Sequence, residues 1–318
     1  MPDPQAVRAV LDDLRAEWAS LDALVAPLDA AGWATPTPAQ GWTIAHQIAH
    51  LAWTEERALL AVTDPDAFAA ERAVAAGAFD RYVDEGAETG ARAAPAELLA
   101  RWRGASTALG AALTASAAER PSVRHPWYGP PMSTASMAGA RVMETWAHGE
   151  DVADALGVRR SPTARLWHVA RLAVVARDYA FSVYGRPAPA EPFRIELTAP
   201  DGSLWTFGPP DAAQRVTGPA LDLCLLAVRR RHRDDLAVRA VGEDAETWLS
   251  IAQTFVGPPG SGRPPTGGAD PGEGADPGSP GPGGGAGGRG GADAGEDAGA
   301  DAGASFRGAG PLPAGGDA

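Results

Sequence analysis

Glu144 and His148 stand four residues apart in AGARVMETWAHGEDVADAL, residues 138 to 156. On a helix that spacing puts a carboxylate and an imidazole on one face, within reach of the same small ion. A second stretch far upstream, GWTIAHQIAHLAW, supplies His46 and His50. Two helices then offer three or four ligand-type side chains. A catalytic zinc site has three protein ligands drawn from His, Glu, Asp or Cys, with one position left for water or substrate. His50, Glu144 and His148 make such a set, and His46 competes with His50 for the third place. The H-x-x-x-H spacing of His46 and His50 matches a zincin helix, but Gln-Ile-Ala lies between them. The glutamate that would serve as general base is missing, which excludes a metalloprotease of that kind. His50 is the expected ligand, and His46 an ordinary histidine satisfied by its surroundings.

The elements that must position these residues follow from the hydrophobic pattern. Val7, Val10, Leu11, Leu14, Trp18, Leu21, Leu24 and Leu28 recur at three-and-four spacing and predict a long amphipathic helix over residues 4 to 30. A Pro/Gly-rich break follows, then a helix from an N-cap at Thr43 to Val62, with Ile44, Ile48, Leu51 and Leu59 on one side and His46, His50 and Trp53 on the other. A shorter helix after Thr63 or Asp64 and another opened by Pro95 come next. Residues 119 to 133 are too rich in Pro and Gly for regular structure and lead into the helix of Glu144 and His148; a further helix spans 162 to 184. Long helices with short connections describe an antiparallel bundle, whose interior can house metal sites.

After Gly185 the periodicity changes. FRIELTA and SLWTFG flank Pro200-Asp201-Gly202 as a hairpin, and AQRVTG, PALDLCLLAVRRR, LAVRAVG and DAETWLSIAQTFV read as strand, helix, strand and helix. The expected organisation is a helical bundle over 1–187, a small α+β domain over 188–257, and a disordered Gly/Pro/Ala/Asp tail over 258–318. From residue 257 on lie 23 of the 39 glycines and almost nothing to bury.

Composition narrows the function. Of the net charge of −13, about −5 belongs to the tail and −8 to the rest, which argues against non-specific nucleic-acid binding, since neutralising phosphates needs a basic face. All 27 basic residues are Arg, which removes a P-loop lysine and Schiff-base chemistry. One cysteine, Cys224, in an apolar helix pattern, excludes an intramolecular disulfide and reads as core rather than nucleophile. With no leader-like segment and no apolar run long enough for a bilayer, the expectation is a cytoplasmic protein, monomer or homodimer, without membrane or nucleic-acid partners.

Trp42-Thr43 leading to His50-Leu51-Ala52, followed by E-x-x-x-H-x-x-D at Glu144, His148 and Asp151, resembles the signature of mycothiol-dependent maleylpyruvate isomerase-like proteins, members of the DinB-like group of metal-binding four-helix bundles. The resemblance implies a divalent metal, normally zinc, at His50, Glu144 and His148, and a sterol-carrier-protein-like α+β domain after the bundle. It further implies mycothiol as a low-molecular-weight thiol cosubstrate. The activity implied is thiol transfer or isomerisation of a small electrophilic organic acid, with a C-terminal arginine, here Arg229 after Val228, on the substrate carboxylate. Asp151, one turn beyond His148, is either the acceptor that orients its imidazole or a surface acid. Arg124, Trp127 and Tyr128, in the irregular loop before the ligand helix, are expected at the cofactor and substrate mouth, although either aromatic ring could instead plug the bundle end. Two other readings use the same residues: metal-dependent hydrolysis, with water in place of thiol, and a non-enzymatic binder whose metal is structural. A fourth protein ligand such as His46 would favour the binder.

Overall fold

The computed structural model describes residues 3–75, 79–257 and 262–266. Helix α1 (Pro4–Val25) begins where Asp3 accepts a hydrogen bond from the Gln5 amide at 2.9 Å and Pro4 takes the first helical position. Its buried stripe is Val7, Val10, Leu11, Leu14, Trp18 and Leu21. A short helix α2 (Ala30–Trp33) and a loop closed by a bridge between Pro36 and Thr43 lead into α3 (Ile44–Thr63). The region expected as one helix after Thr63 is two, α4 (Pro65–Ala75) and α5 (Phe79–Ala91). Helix α6 (Pro95–Glu119) follows, then a hairpin of two-residue strands, β1 (Arg124–His125) and β2 (Met132–Ser133), and α7 (Thr134–Ala155), capped by Ser133. Helices α1, α3, α6 and α7 share one hydrophobic core, to which Leu14, Ile48, Leu51, Trp102, Leu109, Met137 and Val142 contribute.

The second core is larger than the expected C-terminal domain. Helices α8 (Leu166–Val175) and α9 (Arg177–Val183) replace the single helix expected to close the bundle. They pack instead with strands β3 (Phe193–Thr198), β4 (Leu204–Phe207), β5 (Gln214–Pro219) and β6 (Arg239–Val241) and helices α10 (Ala220–Ala227) and α11 (Glu243–Ile251). The sheet order is β4-β3-β5-β6; β3 and β5 are parallel and the other pairs antiparallel. The β3–β4 turn passes through Gly202 at φ 83°, a conformation that favours glycine. Cys224 is fully buried here, its thiol directed to the Leu166 carbonyl at 3.5 Å, and burial pushes the thiol pKa up.

Helix α7 serves both cores: Met137, Ala138, Val142 and Val152 face the bundle, while Met143, Trp146 and Ala147 enter the second core. Whatever α7 carries between those stripes is therefore held from both sides. Among the described residues no helix is long and apolar enough to cross a membrane.

Candidate metal centre

Helix α3 positions His50 and α7 positions Glu144 and His148. Oε2 of Glu144 lies 3.6 Å from Nε2 of His50 and 3.4 Å from Nε2 of His148, and one candidate donor atom from each residue lies within 4.8 Å of the others. Two donors bonded at about 2.1 Å to a tetrahedral ion stand about 3.4 Å apart, so this spacing suits a cation better than direct hydrogen bonds. No fourth His, Cys, Asp or Glu joins the group among the described residues.

The electrostatics suit ligation. Burial pushes the His148 pKa down to about 4, with the neighbouring His50 adding to the effect, so its imidazole is neutral near pH 7. Burial alone would raise Glu144, but the two adjoining imidazoles and the Arg141 charge outweigh it and hold the carboxyl well below the usual carboxylate range. A carboxylate and a neutral imidazole are the forms a divalent ion takes.

Gln47 and Arg141, neither singled out from the sequence, and Trp42, met there only in the family signature, complete the surroundings. Gln47, one turn before His50 on α3, places Oε1 2.5 Å from Nδ1 of His148, while its amide nitrogen donates to Thr37 at 2.9 Å. The imidazole thus donates from Nδ1 and turns the Nε2 lone pair toward Glu144. Arg141 is 2% exposed and lies 3.7 Å from Oε1 of Glu144, the oxygen directed away from the imidazoles. Its i, i+3 spacing from Glu144 was the available signal. Trp42 covers the group, its ring 5.4 Å from His50 and 6.1 Å from His148, nearly parallel to the latter.

Other expected residues fall elsewhere. His46 folds back on the start of α3, with Nδ1 2.8 Å from the Thr43 hydroxyl and Nε2 2.9 Å from Glu88; it is not a ligand of this group. Asp151 neither orients His148 nor sits on the surface. It is buried, with Oδ2 accepting from Arg230 at 2.7 and 3.1 Å and Oδ1 accepting from Arg263, while Gln47 takes the imidazole proton.

Arg229 donates to the Tyr184 hydroxyl at 2.8 Å rather than to any residue of the centre. The reason is the end of α10. Arg229 takes φ 59°, with its amide bonded to Leu226 and that of Arg230 to Leu225, the pattern of a Schellman cap. Arg230, held on Asp151 one turn from His148, adds a second guanidinium near the centre, and its charge helps to lower the His148 pKa.

Arg124 is exposed and donates to the Pro131 carbonyl within its own hairpin at 2.6 Å, so it does not line the centre. Trp127 lies under Arg141 at 5.5 Å and stacks on Phe68 at 5.7 Å; Tyr128 stacks on Trp53 at 6.5 Å. Both rings join an aromatic wall one residue removed from the ligands.

Residues 14–153 match the family model described as mycothiol maleylpyruvate isomerase N-terminal domain, and residues 189–241 match one described as wyosine base formation. Two uncharacterized proteins of Mycobacterium tuberculosis, from strains CDC 1551 / Oshkosh and ATCC 25618 / H37Rv, are each 57% identical over 251 residues, covering 79% of this chain and 96% of theirs. The chain belongs to the mycothiol-dependent maleylpyruvate isomerase-like family. The crystal structure of the mycothiol-dependent maleylpyruvate isomerase aligns at a TM-score of 0.52 and 17% identity, covering 76% of this chain and 95% of that one. A histidine-to-alanine variant of that enzyme aligns at 0.52 and 16%, covering 75% and 95%. At such identity the likeness is one of fold.

Proposed function

We propose that the protein is a divalent-metal enzyme that uses a low-molecular-weight thiol, mycothiol, to isomerise or transfer thiol to a small electrophilic organic acid. His50, Glu144 and His148 hold the metal, normally zinc. The observation that carries the reading is the convergence of these three donors from two helices with no fourth protein donor among the described residues. A structural site would close the shell, and His46, the nearest competitor, is engaged by Thr43 and Glu88. When bound, such an ion lowers the pKa of a coordinated thiol and keeps the thiolate available near neutral pH.

The chain's own residues do the rest. Gln47 takes the Nδ1 proton of His148 and keeps Nε2 on the site. Arg141 faces the outer oxygen of Glu144 and limits its rotation. Trp42 shields both imidazoles, and Arg230, held by Asp151 and the Val228 carbonyl, attracts the substrate carboxylate by its charge. The thiol comes from outside, because Cys224 is buried and held protonated.

The test is thiol consumption by zinc-reloaded protein supplied with mycothiol and a panel of unsaturated and halogenated small acids. Turnover that requires both thiol and metal, and that vanishes in His148→Ala, is expected. Turnover of a substrate without thiol would assign the same ligands to hydrolysis. Retained thiol-dependent turnover in metal-stripped His148→Ala would contradict the proposal.

A further inference from the structure

The residues Gly262–Thr266 lie beyond α11, yet they are tied to the helix that carries two of the candidate metal ligands. The Arg263 guanidinium donates to Oδ1 of Asp151 and, at 2.6 Å, to Oδ2 of Asp154. Thr266 anchors the same stretch on Asp235, with its amide 3.0 Å from both carboxylate oxygens and its hydroxyl 2.6 Å from one. A tail expected to stay free from residue 258 is thus docked over these five residues.

The charge count at the docking point has a functional sense. Asp154 is already held by Arg231 through two contacts of 2.8 Å, and Asp151 by Arg230. Without Arg263, two guanidinium groups would meet two carboxylates and cancel. With it, three meet two, and one positive charge is in surplus. Asp151 is three residues after His148 and therefore on the same helical face. The surplus stands one turn from the metal ligands. The side chains are sheltered, Arg263 at 19% exposure and Asp151 at 3%, so solvent screens the charge less than it would at the surface.

We propose that Arg263 is a positioning residue of the metal pocket. By taking up Oδ1 of Asp151 and Oδ2 of Asp154 it leaves the charge of Arg230 for an anionic ligand, so a strap beyond the second domain sets the preference of the site for acids. The inference rests on reading the centre as a small-acid site, and it needs no thiol. Loss of a helix contact alone would weaken all ligands alike; loss of charge weakens acids selectively.

The test uses the full-length protein loaded with cobalt(II), whose visible absorption reports ligands at the metal. Succinate serves as the acid and imidazole as the neutral ligand. Arg263→Ala is expected to retain one cobalt per chain and its imidazole affinity while binding succinate about tenfold more weakly, and Arg263→Lys to keep most of the succinate affinity. Unchanged succinate affinity in Arg263→Ala, equal losses for both ligands, or a lysine protein as poor as the alanine one would overturn the proposal. Should Arg263→Ala fail to hold cobalt, Arg263→Gln, which keeps a polar contact and drops the charge, decides on the same two titrations; its failure to hold cobalt would assign Arg263 a purely structural role. Because no thiol is present, selective loss of succinate binding stands even if mycothiol turnover is never observed.

Discussion

Nδ1 of His148 lies 2.5 Å from Oε1 of Gln47, on the helix that also carries His50. The two helices of the candidate centre are therefore joined by a hydrogen bond directly behind the atoms that converge there. In the proposed site, helix α3 contributes a candidate ligand of its own and also fixes the tautomer of a candidate ligand on α7. Gln47→Leu removes the acceptor while keeping the volume, and should lower zinc affinity by about 10- to 100-fold with the helical content unchanged. Competition against a chelator of known affinity measures it; equal affinity in the two proteins would count against the role given to Gln47.

Arg141 provides a second check on ligand orientation. It is buried against Oε1 of Glu144, with its guanidinium over the Trp127 ring. Arg141→Met leaves Glu144 free to rotate and removes a buried charge beside it. Weaker metal binding is expected, together with a rise in the Glu144 pKa, visible as metal release at a higher pH than in the wild type. An unchanged pH for release would contradict this.

Arg229 and Arg230 should separate cleanly. Arg229 occupies a left-handed position that costs a non-glycine residue about 1 kcal/mol, and Arg230 is the guanidinium on Asp151. Arg229→Gly is expected to keep turnover, whereas Arg230→Ala should raise KM for the acid at least about tenfold. Steady-state kinetics with one substrate decides, and the reverse pattern would return the substrate arginine to position 229.

The stability of metal-free protein should depend on pH through Glu55. It is fully buried, accepts from the Trp18 indole at 3.0 Å, and has its pKa pushed up by burial to about 7. A carboxyl raised in the folded state contributes stability that is complete below its unfolded pKa of about 4.5 and is lost as pH rises toward 7. His148 works in the opposite direction. Its depressed pKa contributes stability present above about 6.5 and lost as pH falls toward 4. Glu55→Gln should therefore gain on the wild type between pH 4.5 and 8, by at most about 3 kcal/mol, in urea titrations. A difference independent of pH would show that Glu55 titrates normally.

The sequence carried the centre further than it carried its surroundings. The three candidate ligands stand at helical spacing beside strong hydrophobic stripes, and the structure brings them together. Gln47 and Arg141 lie on the same helices at i−3 from ligands, so the signal existed but was one of many polar residues on those faces. Arg230 was not singled out, because the left-handed cap that turns it toward Asp151 is invisible when the residue at 229 is arginine rather than glycine. Asp151 fits the local E-x-x-x-H-x-x-D pattern, yet its partners come from residues 79 and 112 positions downstream. Helix α8 was assigned to the bundle by proximity in the chain, whereas Leu166 and Val169 are buried with the sheet. Local periodicity fixes which face is apolar, not which core receives it.

The most direct measurement is the zinc content of purified, zinc-reloaded and dialysed protein, by elemental analysis, for the wild type and for His50→Ala, Glu144→Ala and His148→Ala. One zinc per chain in the wild type and little or none retained in each variant is the predicted result. A wild type without zinc, or variants that keep the full complement, would contradict the account.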